Sequence, residues 1–100
     1  MAITVDRLEK HWLIRLEGEF GVTSAPELKT LLLEWVASGR DLQMDLERAE
    51  EIDITLMQLL WAAGREAARA GAGMVSRVSE AAAMAARDAG FERFPGAAAE

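Results

Sequence analysis

Residues 50–71 read EEIDITLMQLLWAAGREAARAG, an acidic stretch that passes into an amphipathic helix. Leucine and alanine recur at three- and four-residue spacing from Leu56 to Ala70, which predicts that one face of this helix packs against a sheet. At the start of the helix stands the hydroxyl residue Thr55, followed three positions later by Gln58. Because this is a capping-box pattern, the sequence predicts that Thr55 caps the N-terminus of the helix.

The rest of the chain alternates short strands with helices. Strand-like runs lie at residues 3–8, 12–18, 42–46 and 73–78, and further helical runs lie at 23–39 and 79–90. The order β-β-α-β-α-β-α predicts an α/β domain with a mixed four-stranded sheet and three or four helices. We predict one domain over residues 1–94 and a flexible C-terminal tail at residues 95–100.

Composition and charge exclude several classes of function. The net charge of -6 argues against binding nucleic acid or an anionic membrane surface, since both select basic faces. The chain has no cysteine and one histidine, and its acidic run at residues 45–53 lacks the ligand spacing of a calcium loop, so no metal or cofactor is expected. No apolar stretch reaches the ~18 residues of a membrane span, and the N-terminus lacks a signal core, which together predict a cytoplasmic location without membrane insertion.

Two segments resemble a known family. The run GRDLQMDLERAEEIDITLMQLLWAAGREAARAG at residues 39–71 and the run SEAAAMAARDAGF at residues 79–91 are similar to STAS domains, the fold of anti-sigma-factor antagonists. The resemblance covers about residues 3–92 and is most specific at Ile52-Asp53 and the Gln-Leu-Leu of residues 58–60. It implies a small stand-alone signalling domain that is not an enzyme.

The resemblance also implies a phosphorylation site. STAS domains of this type carry an aspartate followed, one or two positions later, by a serine or threonine that a partner kinase phosphorylates. Asp53 matches that aspartate, Ile54 occupies the first of the two positions and Thr55 the second, while Leu56 replaces a usual glycine. Thr55 is therefore the phosphorylation candidate, and Asp53, Ile54 and Leu56 are candidate partner-binding residues.

A second apolar stripe runs along the same helix. At about 100° per residue, Ile54, Met57 and Trp61 lie roughly 100–160° away from the centre of the sheet-facing side. Exposed rows of large apolar side chains mark interaction surfaces, and Met and Trp are common interface anchors. We expect Met57 and Trp61 to form the centre of a docking surface with Thr55 at its edge. The alternative, that a neighbouring helix or loop covers this stripe, stays open.

The resemblance implies a protein partner. The expected partner is an anti-sigma factor, a serine/threonine kinase or a chemotaxis-type kinase assembly, and a homodimer is a further possibility. One alternative function is an accessory subunit of a lipid-transport ABC system, bound to its ATPase. Another is a dimerisation domain without a phosphorylation switch, pairing through Met57 and Trp61.

Overall fold

A computed structural model describes residues 2–97 of the chain. The five strands found there are β1 (Ala2–Arg7), β2 (His11–Phe20), β3 (Asp41–Leu46), β4 (Ala49–Ile52) and β5 (Met74–Val78). The three α-helices are α1 (Ala25–Ser38), α2 (Ile54–Arg69) and α3 (Glu80–Asp88), and a short 3₁₀ helix at Val22–Ser24 precedes α1. None of the helices within residues 2–97 is both long enough and apolar enough to span a membrane.

The sheet is mixed, as the sequence predicts. Its strands lie in the order β1-β2-β3-β5, with β1 antiparallel to β2 and the other pairs parallel. Helix α1 connects β2 to β3 and helix α2 connects β4 to β5, in both cases strands that run in the same direction, which is the arrangement expected of α/β crossovers. The α/β prediction is therefore confirmed.

The sheet has a fifth strand that the sequence analysis missed. Strand β4 pairs in parallel with the end of β2, from Gly18 to Phe20, with a register shift between Gly18 and Glu19. In β4 the terminal residues Ala49 and Ile52 are buried, whereas the two glutamates between them are exposed. Two consecutive outward residues break the alternation by which a strand is recognised, which is why this one reads as a loop.

One face of the sheet carries the core. The buried residues of the two central strands include Trp12, Ile14 and Leu16 of β2 and Leu42, Met44 and Leu46 of β3. The helices cover them with Leu28, Leu32 and Trp35 of α1, Leu56, Met57 and Leu60 of α2, and Ala82 and Ala86 of α3. Alternation along the strands and the three- and four-residue spacing of apolar residues along α1 account for these inward faces.

The ends of α1 and α3 follow their sequence signals. Helix α1 ends at Gly39, which adopts a φ of 70° in the left-handed region that favours glycine. Helix α3 is capped by Ser79, whose Oγ accepts a hydrogen bond from the Ala82 N–H at 3.0 Å. The same hydroxyl donates to the Ala49 carbonyl at 2.8 Å, so it also ties α3 to β4.

Residues 95–97 pack against the sheet, in contrast to the flexible tail predicted from residue 95. Pro95 is buried, and its carbonyl accepts a 2.7 Å hydrogen bond from the Ser76 hydroxyl. The Ser76 N–H donates to the Gly96 carbonyl at 2.9 Å, and Ala97 forms a parallel bridge with Ser76. This packing was not foreseen because so short a contact leaves no periodic pattern in the sequence. Residues 98–100 of the predicted tail lie outside the described part of the chain.

Candidate functional site

Asp53, rather than Thr55, caps helix α2. Asp53 has extended backbone angles (φ -70°, ψ 148°), and its Oδ1 accepts a hydrogen bond from the Thr55 N–H at 2.8 Å. Its own N–H donates to the Phe20 carbonyl of β2 at 2.9 Å, which fixes the point where the chain leaves the sheet. The predicted capping box is therefore wrong, because the tertiary contact with Phe20 places the start of the helix two residues earlier.

Thr55 occupies the second position of α2 and is partly exposed. The pKa of Asp53 is held below its ordinary value mainly by the hydrogen bond from the Thr55 N–H and, to a smaller extent, by the Thr55 side chain. The carboxylate is thus ionised at neutral pH and lies at the positive end of the helix dipole. Asp53 and Thr55 form one hydrogen-bonded unit at the first turn of α2.

The predicted partner-binding residues of α2 divide into exposed and buried ones. Ile54 and Trp61 are 43% and 48% exposed, as a contact surface requires. Leu56 and Met57 are buried, at 0% and 1% exposure, and belong to the core. The expectation that these two bind a partner is therefore corrected: the buried face of α2 is wider than its leucines indicate.

Trp61 lies on a different side of α2 from Thr55. At about 100° per residue the two positions are ~120° apart around the helix. Trp61 faces a groove lined also by Met74 of β5 and by Pro95, and the Arg65 guanidinium lies over its ring at 4.6 Å. The structure therefore does not bring Trp61 and Thr55 together into the single surface that the sequence analysis expected.

An acidic groove adjoins Asp53. It has a volume of about 490 Å³ and lies between the start of α2, strand β4 and helix α3. Its carboxylates are those of Glu19, Glu50, Glu51, Asp53 and Asp88, and none of the residues described along it is basic. Met84 of α3, at 55% exposure, contributes an apolar side chain to the wall.

Three residues of the acidic groove escaped the sequence analysis. Glu50, Glu51 and Asp53 belong to the acidic run noted there, whereas Glu19 comes from β2 and Met84 and Asp88 come from α3. Only the pairing of β4 with β2 and the packing of α3 against β4 bring them together. Within residues 2–97 no group of three or more potential ligands has a geometry that would hold a metal ion.

Comparison with known proteins identifies the family. The family model described as "Mlab, STAS domain" matches residues 3–94. The chain belongs to the STAS family. None of the curated proteins that were compared with this STAS domain matches it.

Solved structures share the fold of this STAS domain. The Bacillus cell-fate determinant SpoIIAA in its phosphorylated form has a TM-score of 0.75 at 16% identity, over 99% of this chain and 93% of that one. The unphosphorylated form of the anti-sigma-factor antagonist SpoIIAA has a TM-score of 0.69 at 17% identity, over 75% and 71% of the two chains. An anti-sigma-factor antagonist from Mycobacterium paratuberculosis has a TM-score of 0.65 at 24% identity, over 94% and 85%. These likenesses show that the chain has the fold of anti-sigma-factor antagonists.

Proposed function

We propose that this STAS domain binds a protein partner through the first turn of α2 and the acidic groove, and that phosphorylation of Thr55 releases the partner. The observation that carries the proposal is the position of Thr55. Thr55 is a partly exposed residue of the first turn, and its N–H donates a hydrogen bond to Asp53, which itself lines the acidic groove. Ile54, beside it, adds an exposed apolar contact.

The acidic groove defines the chemistry of the partner. Because five carboxylates line the groove and none of the residues described along it is basic, the groove favours a segment rich in arginine or lysine. The exposed side chain of Met84 supplies an apolar anchor within the same groove. Binding of such a partner weakens as salt is added, because exposed charges are screened over about 8–10 Å at physiological ionic strength.

Phosphorylation acts on this interface in two opposite ways. A phosphate adds about -1.5 to -2 charges, which attract a basic partner by roughly 1 kcal/mol or less at an exposed position. Burying the same dianion where a neutral hydroxyl had been in contact costs several kcal/mol. The second effect is larger, and a net loss of about 3 kcal/mol weakens binding more than a hundredfold.

Likeness to anti-sigma-factor antagonists supports the proposed class of partner. Anti-sigma-factor antagonists share this fold, and one of the similar structures is of a phosphorylated form. These likenesses support an anti-sigma factor, a serine/threonine kinase or a chemotaxis-type kinase assembly as the partner. The phosphate donor is ATP: its γ-phosphoryl group passes to the Thr55 oxygen, the hydroxyl proton is released and ADP leaves.

Affinity capture from the cells that make the protein tests this proposal. Wild type and the variants Thr55→Glu, Thr55→Val and Thr4→Glu are each used as bait. Thr4 is exposed on β1, so Thr4→Glu makes the same chemical change away from α2. We expect one partner to bind wild type, Thr55→Val and Thr4→Glu, and to be lost with Thr55→Glu.

Mass spectrometry of the same samples reports the modification. A phosphorylated peptide containing Thr55 is expected in the fraction of the protein that is free of the partner. Equal capture of the partner by Thr55→Glu and wild type would overturn the switch. Capture that is unchanged when the groove carboxylates Glu51 and Asp88 are replaced by glutamine would overturn the proposed surface.

A second candidate function lacks the switch. It is favoured by Ile54 at the other position where the family carries a hydroxyl. In this case the domain is a constitutive accessory subunit, for instance of a lipid-transport ABC system. The capture experiment distinguishes the two, because a transporter ATPase would then bind wild type and Thr55→Glu equally.

A further inference from the structure

A second groove lies between α1 and α2, apart from the acidic groove. The α1–α2 groove has a volume of about 190 Å³ and is lined almost entirely by apolar atoms. Its α1 wall includes Leu33 and Val36, and its α2 wall includes Leu59 and Ala62. Leu33 is 61% exposed, the highest value among the large apolar side chains described as exposed. An apolar groove with such an exposed leucine is a candidate docking surface.

The two walls run in the same direction. Helices α1 and α2 each connect two parallel strands, so both run back against the strand direction. Lys29 precedes Leu33 by four residues on α1, and Glu66 follows Ala62 by four residues on α2. The α1–α2 groove therefore has a positive charge at one end and a negative charge at the other.

Both end charges are available to a partner. Lys29 is exposed and has no carboxylate within ion-pair distance among residues 2–97. Glu66 pairs with Arg69 at 3.1 Å, but both side chains are more than half exposed, and such pairs contribute about 1 kcal/mol or less. Neither charge is committed to the fold of the domain.

We propose that the α1–α2 groove is a homodimer interface. If a twofold axis runs perpendicular to the groove, the grooves of the two copies lie antiparallel. Lys29 of each copy then lies opposite Glu66 of the other copy. A groove with opposite charges at its two ends is thus complementary to a second copy of itself in this orientation. The same contact buries the exposed side chain of Leu33. This inference does not depend on the Thr55 switch.

The size of the face predicts a weak dimer. Helices of 14 and 16 residues are about 21–24 Å long, and two side by side are about 20 Å wide. This amounts to roughly 800–1,000 Å² buried over both copies, below the ~1,200–2,000 Å² of stable complexes. We therefore expect a weak dimer that forms only at high protein concentration.

Sedimentation equilibrium of the full chain up to about 1 mM tests the dimer. Wild type is compared with Leu33→Asp and with the control Leu8→Asp, which alters an exposed leucine in the turn between β1 and β2. We expect Leu33→Asp to raise the dimer dissociation constant at least about tenfold, because it places a charge in an apolar contact. Leu8→Asp leaves the constant unchanged. Circular dichroism spectra that match wild type show that each variant is folded.

A charge exchange identifies the occupant of the groove. Lys29→Glu and Glu66→Lys each turn two attractions of the dimer into repulsions and weaken it by about five- to tenfold. The double variant Lys29→Glu/Glu66→Lys restores both attractions and returns the constant to within about twofold of wild type. A monomeric wild type at 1 mM, or a double variant weaker than both single ones, overturns the proposal.

Discussion

Replacing Ser79 with alanine removes both hydrogen bonds by which this side chain holds α3. The Ser79 Oγ accepts from the Ala82 N–H at 3.0 Å and donates to the Ala49 carbonyl at 2.8 Å. Loss of an N-cap costs about 1 kcal/mol, and loss of a hydrogen bond to a backbone carbonyl costs a further ~0.5–1.5 kcal/mol. We therefore expect Ser79→Ala to lower the free energy of unfolding by about 2 kcal/mol. For a domain of this size that lowers Tm by roughly 8–16 °C.

Urea denaturation followed by circular dichroism measures this difference, with two matched variants at the same position. Ser79→Thr keeps the hydroxyl and both hydrogen bonds, so it remains within about 0.5 kcal/mol of wild type. Ser79→Asp keeps an acceptor for the Ala82 N–H but has no donor for the Ala49 carbonyl, and falls between alanine and threonine. If Ser79→Ala unfolded within about 0.5 kcal/mol of wild type with an unchanged m-value, the assignment of these two bonds as the anchor of α3 would be refuted.

Two further predictions concern the sheet. Gly96→Ala is expected to lower the free energy of unfolding by about 1–2 kcal/mol in thermal denaturation, because the φ of Gly96 is +82° and the added Cβ would lie 2.7 Å from the Ser76 Oγ. An unchanged Tm would contradict the packing of residues 95–97 against β5. The pKa of Asp45 is lowered below 3.8, first by the hydrogen bond from the Glu47 N–H and then by Arg15. The ionised carboxylate therefore stabilises the fold above that pH, and this stabilisation is lost as the pH falls through the lowered pKa. Asp45→Asn is therefore less stable than wild type at pH 7, and the difference between their free energies of unfolding, measured in urea titrations, becomes smaller below about pH 4. A difference that did not change with pH would contradict the role of the Asp45 charge.

Most of the fold could be predicted because its elements carry strong local patterns. Helix α1 repeats large apolar residues every three or four positions and ends at a glycine, and β3 alternates strictly. Strand β4 carries no such pattern, since it has four residues and its two central ones both point to solvent. It exists because β2 extends beyond the end of β3 and offers Gly18, Glu19 and Phe20 for pairing, which is a property of the assembled sheet.

The candidate site was predicted less fully than the fold. Asp53 and Thr55 are both good capping residues, and the local sequence does not choose between them; the hydrogen bond from Asp53 to Phe20 does. Met57 stands on the flank of α2, where exposure depends on neighbouring elements, and it is buried. Asp88 of the acidic groove is 35 positions from Asp53, a proximity that only the tertiary structure creates.

The segment at residues 95–97 occupies the outer side of β5, the last strand in the sheet order. An outermost strand with free amides and carbonyls recruits further strands, and this is a common start of ordered aggregation. Here the Ser76 amide is already bonded to Gly96, and its hydroxyl to Pro95. Residues 95–97, which have no regular structure of their own, thus cover the middle of the β5 edge and hinder the addition of another chain there.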